Sequence, residues 1–232
     1  MKKTALIVGV GPGLGAALAR RFVRGGFRVA LVARTPEFIG ELARELSSLG
    51  EPALALTADA TRPAELRAVI AQARETMGAI EVLLYNASAS SGDGLAGTSV
   101  EQFEESWRIA TLGAFVCAQE TAPDMIAEGR GAMIFTGATS SVRGGGWLAF
   151  SSAKFALRGL AQSLARELWP KGVHVAHVVI DGVIGDGTSE DPAEPLLDPA
   201  RMADAYFQLA TQDRAAWTLE LDLRPHREKF FE

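Results

Sequence analysis

The stretch "ALIVGVGPGLG" (residues 5–15) decides the fold of this chain. A short apolar run ends in a cluster of glycines, and a helical period, "LGAALARRFVRGG" (14–26), begins at once. Strands buried on both faces of a parallel sheet are continuous apolar runs, so residues 5–10 read as such a strand. Gly9, Gly13 and Gly15 let the backbone turn tightly and approach a pyrophosphate. The helix that follows offers it free N–H groups and a positive dipole end. A glycine triplet alone is a weak signal, but one set between a first strand and a first helix is strong.

Outward from this unit the same alternation recurs. Apolar runs at 28–34, 52–59, 81–87, 131–138, 173–180 and 216–223 read as strands. Helical periods cover 36–49, 63–77, 99–128, 150–169 and 198–210, several of them closed by glycine. The segment 99–128 reads as one long helix or two, kinked near Pro123. This alternation predicts an α/β fold: a Rossmann-type doubly wound parallel sheet of about seven strands, with helices on both faces. Residues 1–232 are expected to form a single domain. Ligands belong at the carboxyl ends of such strands, and the Gly-, Pro- and acid-rich stretch after the sixth strand lies there. We expect a substrate lid loop over 182–205.

Composition narrows the function classes. Of 232 residues, 48% are hydrophobic, enough for a sizeable core, and the formal charge of −5 argues against a nucleic-acid surface. Cys117 is the single cysteine, so neither an internal disulfide nor a cysteine-based zinc cage is available. His174 and His177 sit three apart in a strand and so face opposite sides; no metal site is expected. The opening "MKKTALIVGV" is too short in its apolar part for a signal peptide, and no run approaches the ~18 apolar residues of a membrane span. A cytoplasmic protein acting on a small molecule, with no nucleic-acid or membrane partner, is the expectation.

The spacing of Gly9, Gly13 and Gly15 resembles the short-chain dehydrogenase/reductase family more than the general dinucleotide fingerprint. Other motifs agree. "YNAS" (85–88) stands where that family carries an Asn-Asn-Ala-Gly type motif, and Asp59 matches its acidic residue near the adenine. Lys154 matches the lysine of its Tyr-x-x-x-Lys motif, and "IDGVIG" (180–185) its Pro-Gly turn after the sixth strand. The resemblance covers almost the whole chain. It implies a nicotinamide cofactor held by Gly9, Gly11, Gly13, Leu14, Gly15, Arg34, Thr35, Asp59, Ala60, Asn86, Ala87, Lys154, Gly182 and Ile184. An acidic residue after the second strand would indicate NAD; Ala33, Arg34 and Thr35 stand there instead. Arg34 can pair with a 2′-phosphate, so NADP(H) is favoured over NAD(H).

The resemblance also shows what is missing. The family's tetrad is Asn, Ser, Tyr and Lys. Only the lysine is present; Phe150 takes the tyrosine position, Ala110 the asparagine position, and Ala138 or Gly137 the serine position. Reducing a ketone leaves an alkoxide that must be protonated, and phenylalanine has no proton to give. Thr139 and Ser140 are the leading hydroxyls in the same turn, beside Thr136 and Ser141. Ser151 is expected to cap or stabilise the first turn of its helix. Trp147 reads as a pocket-lining or a surface aromatic, and Tyr206 as a residue able to reach inward. The expected function is an atypical NADP(H)-dependent oxidoreductase acting on a small carbonyl or activated alkene. The alternative is an inactive NADP(H)-binding sensor or partner subunit. The small-residue stripe Ala153, Ala156, Leu157, Leu160, Ala161, Leu164 resembles the family's subunit interface, implying a homodimer or homotetramer, or else packs on the sheet.

Overall fold

The computed structural model describes residues 3–50, 52–89, 94–185 and 196–226. Seven strands form one parallel sheet: β1 (Thr4–Val8), β2 (Arg28–Ala33), β3 (Ala53–Thr57), β4 (Ile80–Tyr85), β5 (Gly131–Thr136), β6 (Val173–Ile180) and β7 (Glu220–Leu223). Their spatial order is β3-β2-β1-β4-β5-β6-β7, so the chain reverses direction beside β1. That reversal opens a crevice at the carboxyl ends of β1 and β4.

Period-two alternation divides the strands between two cores. Ala5 and Ile7 pack with α1 (Leu14–Arg24), α2 (Pro36–Ser47) and α8 (Pro199–Ala210) on one face. Leu6 and Val8 pack with α3 (Pro63–Met77), α6 (Gly113–Ala127) and α7 (Leu148–Leu168) on the other. β6 is buried along all of its length, including His174 and His177. Their rings leave by opposite faces: His174 bonds the carbonyls of Leu209 and Thr218, His177 the Glu220 carboxylate.

Several expectations need correcting. The segment 99–128 is not broken at Pro123, which lies inside a continuous α6. It is interrupted earlier, by a π-helical turn over Arg108–Leu112 between α5 (Val100–Trp107) and α6, and a short α4 (Gly94–Gly97) precedes it. The cause comes from β4. The Tyr85 hydroxyl enters the turn and donates to the Ile109 carbonyl, and Gly113 N–H reaches back to the Arg108 carbonyl instead. A Cβ on Gly113 would lie 2.2 Å from that hydroxyl, so only glycine admits it. Tyr85→Phe leaves a buried carbonyl without its donor, and we expect a loss of about 1–3 kcal/mol in urea unfolding. An unchanged midpoint would show that the helix closes the gap itself.

Of the stretch 182–205 where a lid loop was expected, residues from Pro199 onward are helical, because Pro199 starts α8 behind an Asp198 cap; residues 186–195 lie outside the described residues. Ile184 and Leu197 form an isolated parallel bridge. Ser151 is not a cap, since Trp147 holds that position and Ser151 sits buried within α7. In the small-residue stripe, Ala153, Leu157 and Ala161 turn to the interior, where Leu157 and Ala161 join the sheet core. Ala156, Leu160 and Leu164 are half-buried.

Candidate active site

One cleft of about 1170 Å³ opens at the carboxyl ends of the strands. All fourteen residues expected to hold a cofactor line it, and so do Phe150, Thr139 and Ser140. Residues from the first glycine loop to Gly185 therefore converge on one surface.

The glycines do different work there. Gly9 has φ +87°, and a Cβ on it would meet Ala87 N at 2.3 Å, so β1 and β4 approach too closely for any side chain. A Cβ on Gly15 would meet Val10 Cα at 2.7 Å, which lets α1 start directly beneath the loop. Around Gly11 there is nothing within 4 Å, so its missing side chain keeps the cleft open rather than the fold closed. No side chain caps α1. A bare, uncapped helix start under a glycine loop is what an anionic group requires.

Neighbouring strands fix the flanks. Asn86 at the end of β4 donates from Nδ2 to the Gly9 carbonyl at 2.9 Å, tying the loop down. Asp59 Oδ1 accepts from the Thr61 N–H and hydroxyl, each at 2.8 Å. Burial works against its charge, but those two bonds, with Arg34 and Arg62 nearby, hold its pKa below the usual value. Arg34 and Thr35 stand exposed at the rim after β2.

Lys154, in the second turn of α7, is 1% exposed. Its ammonium donates to the Thr136 carbonyl at 2.7 Å and lies 5.4 Å from the Phe150 ring centroid. Burial pushes its pKa down to about 8. The underside of the same strand end holds His177. Its Nδ1 meets the Glu220 carboxylate at 3.1 Å, and Arg158 grips that carboxylate at 2.7 and 2.8 Å. Burial outweighs Glu220 and lowers the His177 pKa to about 4, so the ring is neutral at pH 7. A Cβ on Gly137 would fall 2.2 Å from His177 Nε2; the imidazole occupies the space a serine there would need.

Asp181, which sequence reasoning passed over, lies between the cleft-lining residues Ile180 and Gly182. It is 7% exposed, forms a salt bridge with Arg224 Nη1 at 2.6 Å, and accepts the hydroxyl proton of Thr139. An acid at the carboxyl end of β6 was a visible signal, hidden by matching "IDG" to a Pro-Gly turn. Ile109 was also missed; the π-turn carries it into the cleft wall. Three residues fall elsewhere. Trp147 is 55% exposed and off the cleft. Tyr206 is fully buried, its hydroxyl 2.9 Å from Thr136 Oγ1 and its pKa raised by burial. Ser141 is buried and accepts from Ala138 N–H. Among the described residues there is no group of His, Cys, Asp and Glu fit to hold a metal, and no helix is long and apolar enough to cross a membrane.

A family model described as short chain dehydrogenase matches residues 3–193. A short-chain dehydrogenase from Rhodopseudomonas palustris has a similar structure, with TM-score 0.85 and 37% identity, covering 97% of this chain and 99% of that one. The 2-(R)-hydroxypropyl-CoM dehydrogenase of Xanthobacter autotrophicus is 30% identical over 234 residues, 92% of this chain and 93% of the relative. A metagenomic short-chain oxidoreductase in complex with NADP matches with TM-score 0.86 and 26% identity, covering 97% and 98% of the two chains.

Proposed function

The chain belongs to the short-chain dehydrogenase/reductase family of oxidoreductases, and from that premise we propose that its cleft binds NADP(H) and serves hydride transfer to or from a small organic carbonyl or activated alkene. The observation that carries this is the convergence of the glycine loop, Asp59, Asn86 and buried Lys154 on one cleft. The fit is local: Gly11 leaves the loop bare, Gly9 brings β1 against β4, and α1 starts without a side-chain cap. The cofactor supplies a hydride, two electrons with one proton's mass. The chain supplies the rest. The loop and α1 would hold the pyrophosphate, Asp59 and Ala60 would border the adenine, and Lys154 the nicotinamide ribose. In this reading residues 1–232 act as one nucleotide-binding domain, supported by the single sheet.

Phe150 stands in this proposal for the family's tyrosine, Ala110 for its asparagine and Ala138 or Gly137 for its serine. Proton delivery then falls to water, to Thr139 or Ser140, or to Lys154, whose pKa of about 8 puts its proton within reach of neutral chemistry. A homodimer or homotetramer built through the long helices belongs to the same reading. It is supported by exposed Phe103, Trp107, Phe115 and Phe155 on α5, α6 and α7.

The test is NADPH and NADH binding by fluorescence, then NADPH oxidation with ketones, quinones and enones. No binding of either nucleotide ends the proposal. Binding without turnover on any class favours a sensor or partner subunit instead. Phe150→Tyr alone should leave ketone reduction weak, since His177 fills the space a serine at 137 would need. Strong ketone reduction by that variant would overturn the assignment of the missing serine. Arg34→Asp should weaken NADPH binding by tenfold or more and favour NADH, because a carboxylate accepts ribose hydroxyls and repels the 2′-phosphate. An unchanged ratio of the two affinities would remove Arg34 from the site.

A further inference from the structure

A second cleft, of about 210 Å³, lies at the amino ends of β1, β4, β5 and β6, the far end of the sheet from the glycine loop. At ~30 Å³ per water molecule it has room for an ion and a few waters, and none for a nucleotide. Its charged residues are Lys3, Arg130, Arg214 and Glu81. Three cations against one carboxylate leave two positive charges over, in a chain whose formal charge is −5. None of the three is fully engaged. The Lys3 ammonium lies 5.7 Å from the Phe27 ring centroid and has no carboxylate partner among the described residues. Arg214 gives one N–H to the Gly129 carbonyl and keeps four. Arg130 lies 3.5 Å from Glu81 and 3.7 Å from Glu128, too far for good hydrogen bonds. All three residues are exposed, so their donors can turn onto a ligand. Spare N–H groups with two unneutralised charges suit a small dianionic oxyanion.

His174 supplies an independent observation. It lines the same cleft and is buried. Its Nδ1 is 3.0 Å from the Leu209 carbonyl and its Nε2 is 2.8 Å from the Thr218 carbonyl. A neutral imidazole has one N–H, so it satisfies one carbonyl and turns a lone pair on the other. An imidazolium donates to both. The carboxyl end of α8, which delivers Leu209, favours the cation, and so does the Trp217 ring stacked 5.0 Å away. Burial opposes it more strongly and holds the His174 pKa below its usual value, so the ring is mostly neutral at pH 7. Neighbouring charges outside the cleft are already occupied. Lys171, in the turn that brings Trp169 edge-on to the imidazole, is held by Glu167 at 2.9 Å, and Asp213 accepts from the Ala215 N–H at 2.9 Å.

We infer that this second cleft binds a small dianionic oxyanion of the phosphate or sulfate type, and that a proton enters with it at His174. The dianion favours the imidazolium, and the imidazolium ties the end of α8 and the approach to β7 onto β6 through both carbonyls. None of this depends on a reaction in the cofactor cleft.

The probe is sulfate, whose charge does not change across the histidine range. NMR titration of the histidine rings reads this site apart from the glycine loop, because no histidine lines the cofactor cleft. Sulfate should raise the His174 pKa by about one, and by reciprocity it should bind about tenfold tighter to the protonated ring than to the neutral one. Sodium chloride at the same ionic strength should leave the pKa nearly where it was. The double variant Lys3→Gln, Arg130→Gln changes only exposed side chains, and it should keep the native thermal transition while losing the response to sulfate. In His174→Gln the affinity for sulfate should no longer follow pH. A His174 pKa that sulfate does not move overturns the inference. A full response in the double variant, or an equal response to chloride, overturns it as well.

Discussion

Lys154→Met should make the protein more stable and stop it working. A lysine 1% exposed, with its pKa pushed from 10.5 down to about 8 by burial, carries a charge the fold disfavours. Between those two values the unfolded chain holds a proton that the folded chain has released, so stability rises with pH across the window. Below about pH 8 both states are charged and the whole penalty is present, roughly 3 kcal/mol from the size of the shift. Methionine fills the same volume without charge, and loses only the bond to the Thr136 carbonyl at 2.7 Å, worth ~1 kcal/mol. At pH 7 the variant should therefore gain about 2 kcal/mol in urea unfolding, and the gain should shrink as the pH is raised past 8 toward 10.5. Over the same range NADPH affinity should fall at least tenfold and hydride transfer should be lost. A stabilised Lys154→Met that binds NADPH as tightly as the native chain would sever Lys154 from the cofactor. A destabilised one would show that the Thr136 carbonyl depends on the ammonium more than burial opposes it.

Gly9→Ala and Gly11→Ala, two residues apart in one loop, should fail in different ways. At Gly9 the new Cβ would need φ +87° and would stand 2.3 Å from the backbone nitrogen of Ala87. Backbone cannot swing aside as a side chain can, so β1 and β4 must separate where they pair Val8 with Tyr85. We expect a loss of about 3 kcal/mol or more, read as a collapse of the thermal transition or as insoluble protein. At Gly11 the Cβ meets nothing within 4 Å, so thermal stability should stay within about 0.5 kcal/mol of native. Gly11 lines the cleft, so its methyl would add bulk to the bare loop, and NADPH affinity should drop about tenfold. Equal thermal loss in both variants would mean that the loop serves the fold alone.

The parts of this molecule visible in its sequence are those with local causes. The helix over Pro63–Met77 was expected with the bounds it has, because Pro63 opens it and Gly78 closes it at φ +80°. The strand Val173–Ile180 was likewise a single apolar run bounded by Gly172. The glycine loop announced its cleft because its chemistry lies within seven residues, Gly9 to Gly15. What stayed hidden has distant causes. The break at Arg108–Leu112 depends on a hydroxyl from β4, 24 positions away, whereas the visible Pro123 breaks nothing. Asp181 looked like part of a turn until Thr139, 42 positions earlier, was found donating to it. Tyr206 has a reactive side chain near Thr136, yet the depth at which α8 lies takes it out of reach.

The contact of Glu220 with His177 and the ion pair of Arg224 with Asp181 also fix an order of assembly. Glu220 and Arg224 are among the last described residues, beyond the stretch 3–193 that the family model matches. A ribosome has exposed the glycine loop, Asn86, Lys154 and Thr139 long before it adds either partner. Until β7 emerges and docks beside β6, His177 lacks its carboxylate and Asp181 its guanidinium. The end of β6 therefore holds an imidazole and a carboxylate without their partners until β7 closes the edge of the sheet.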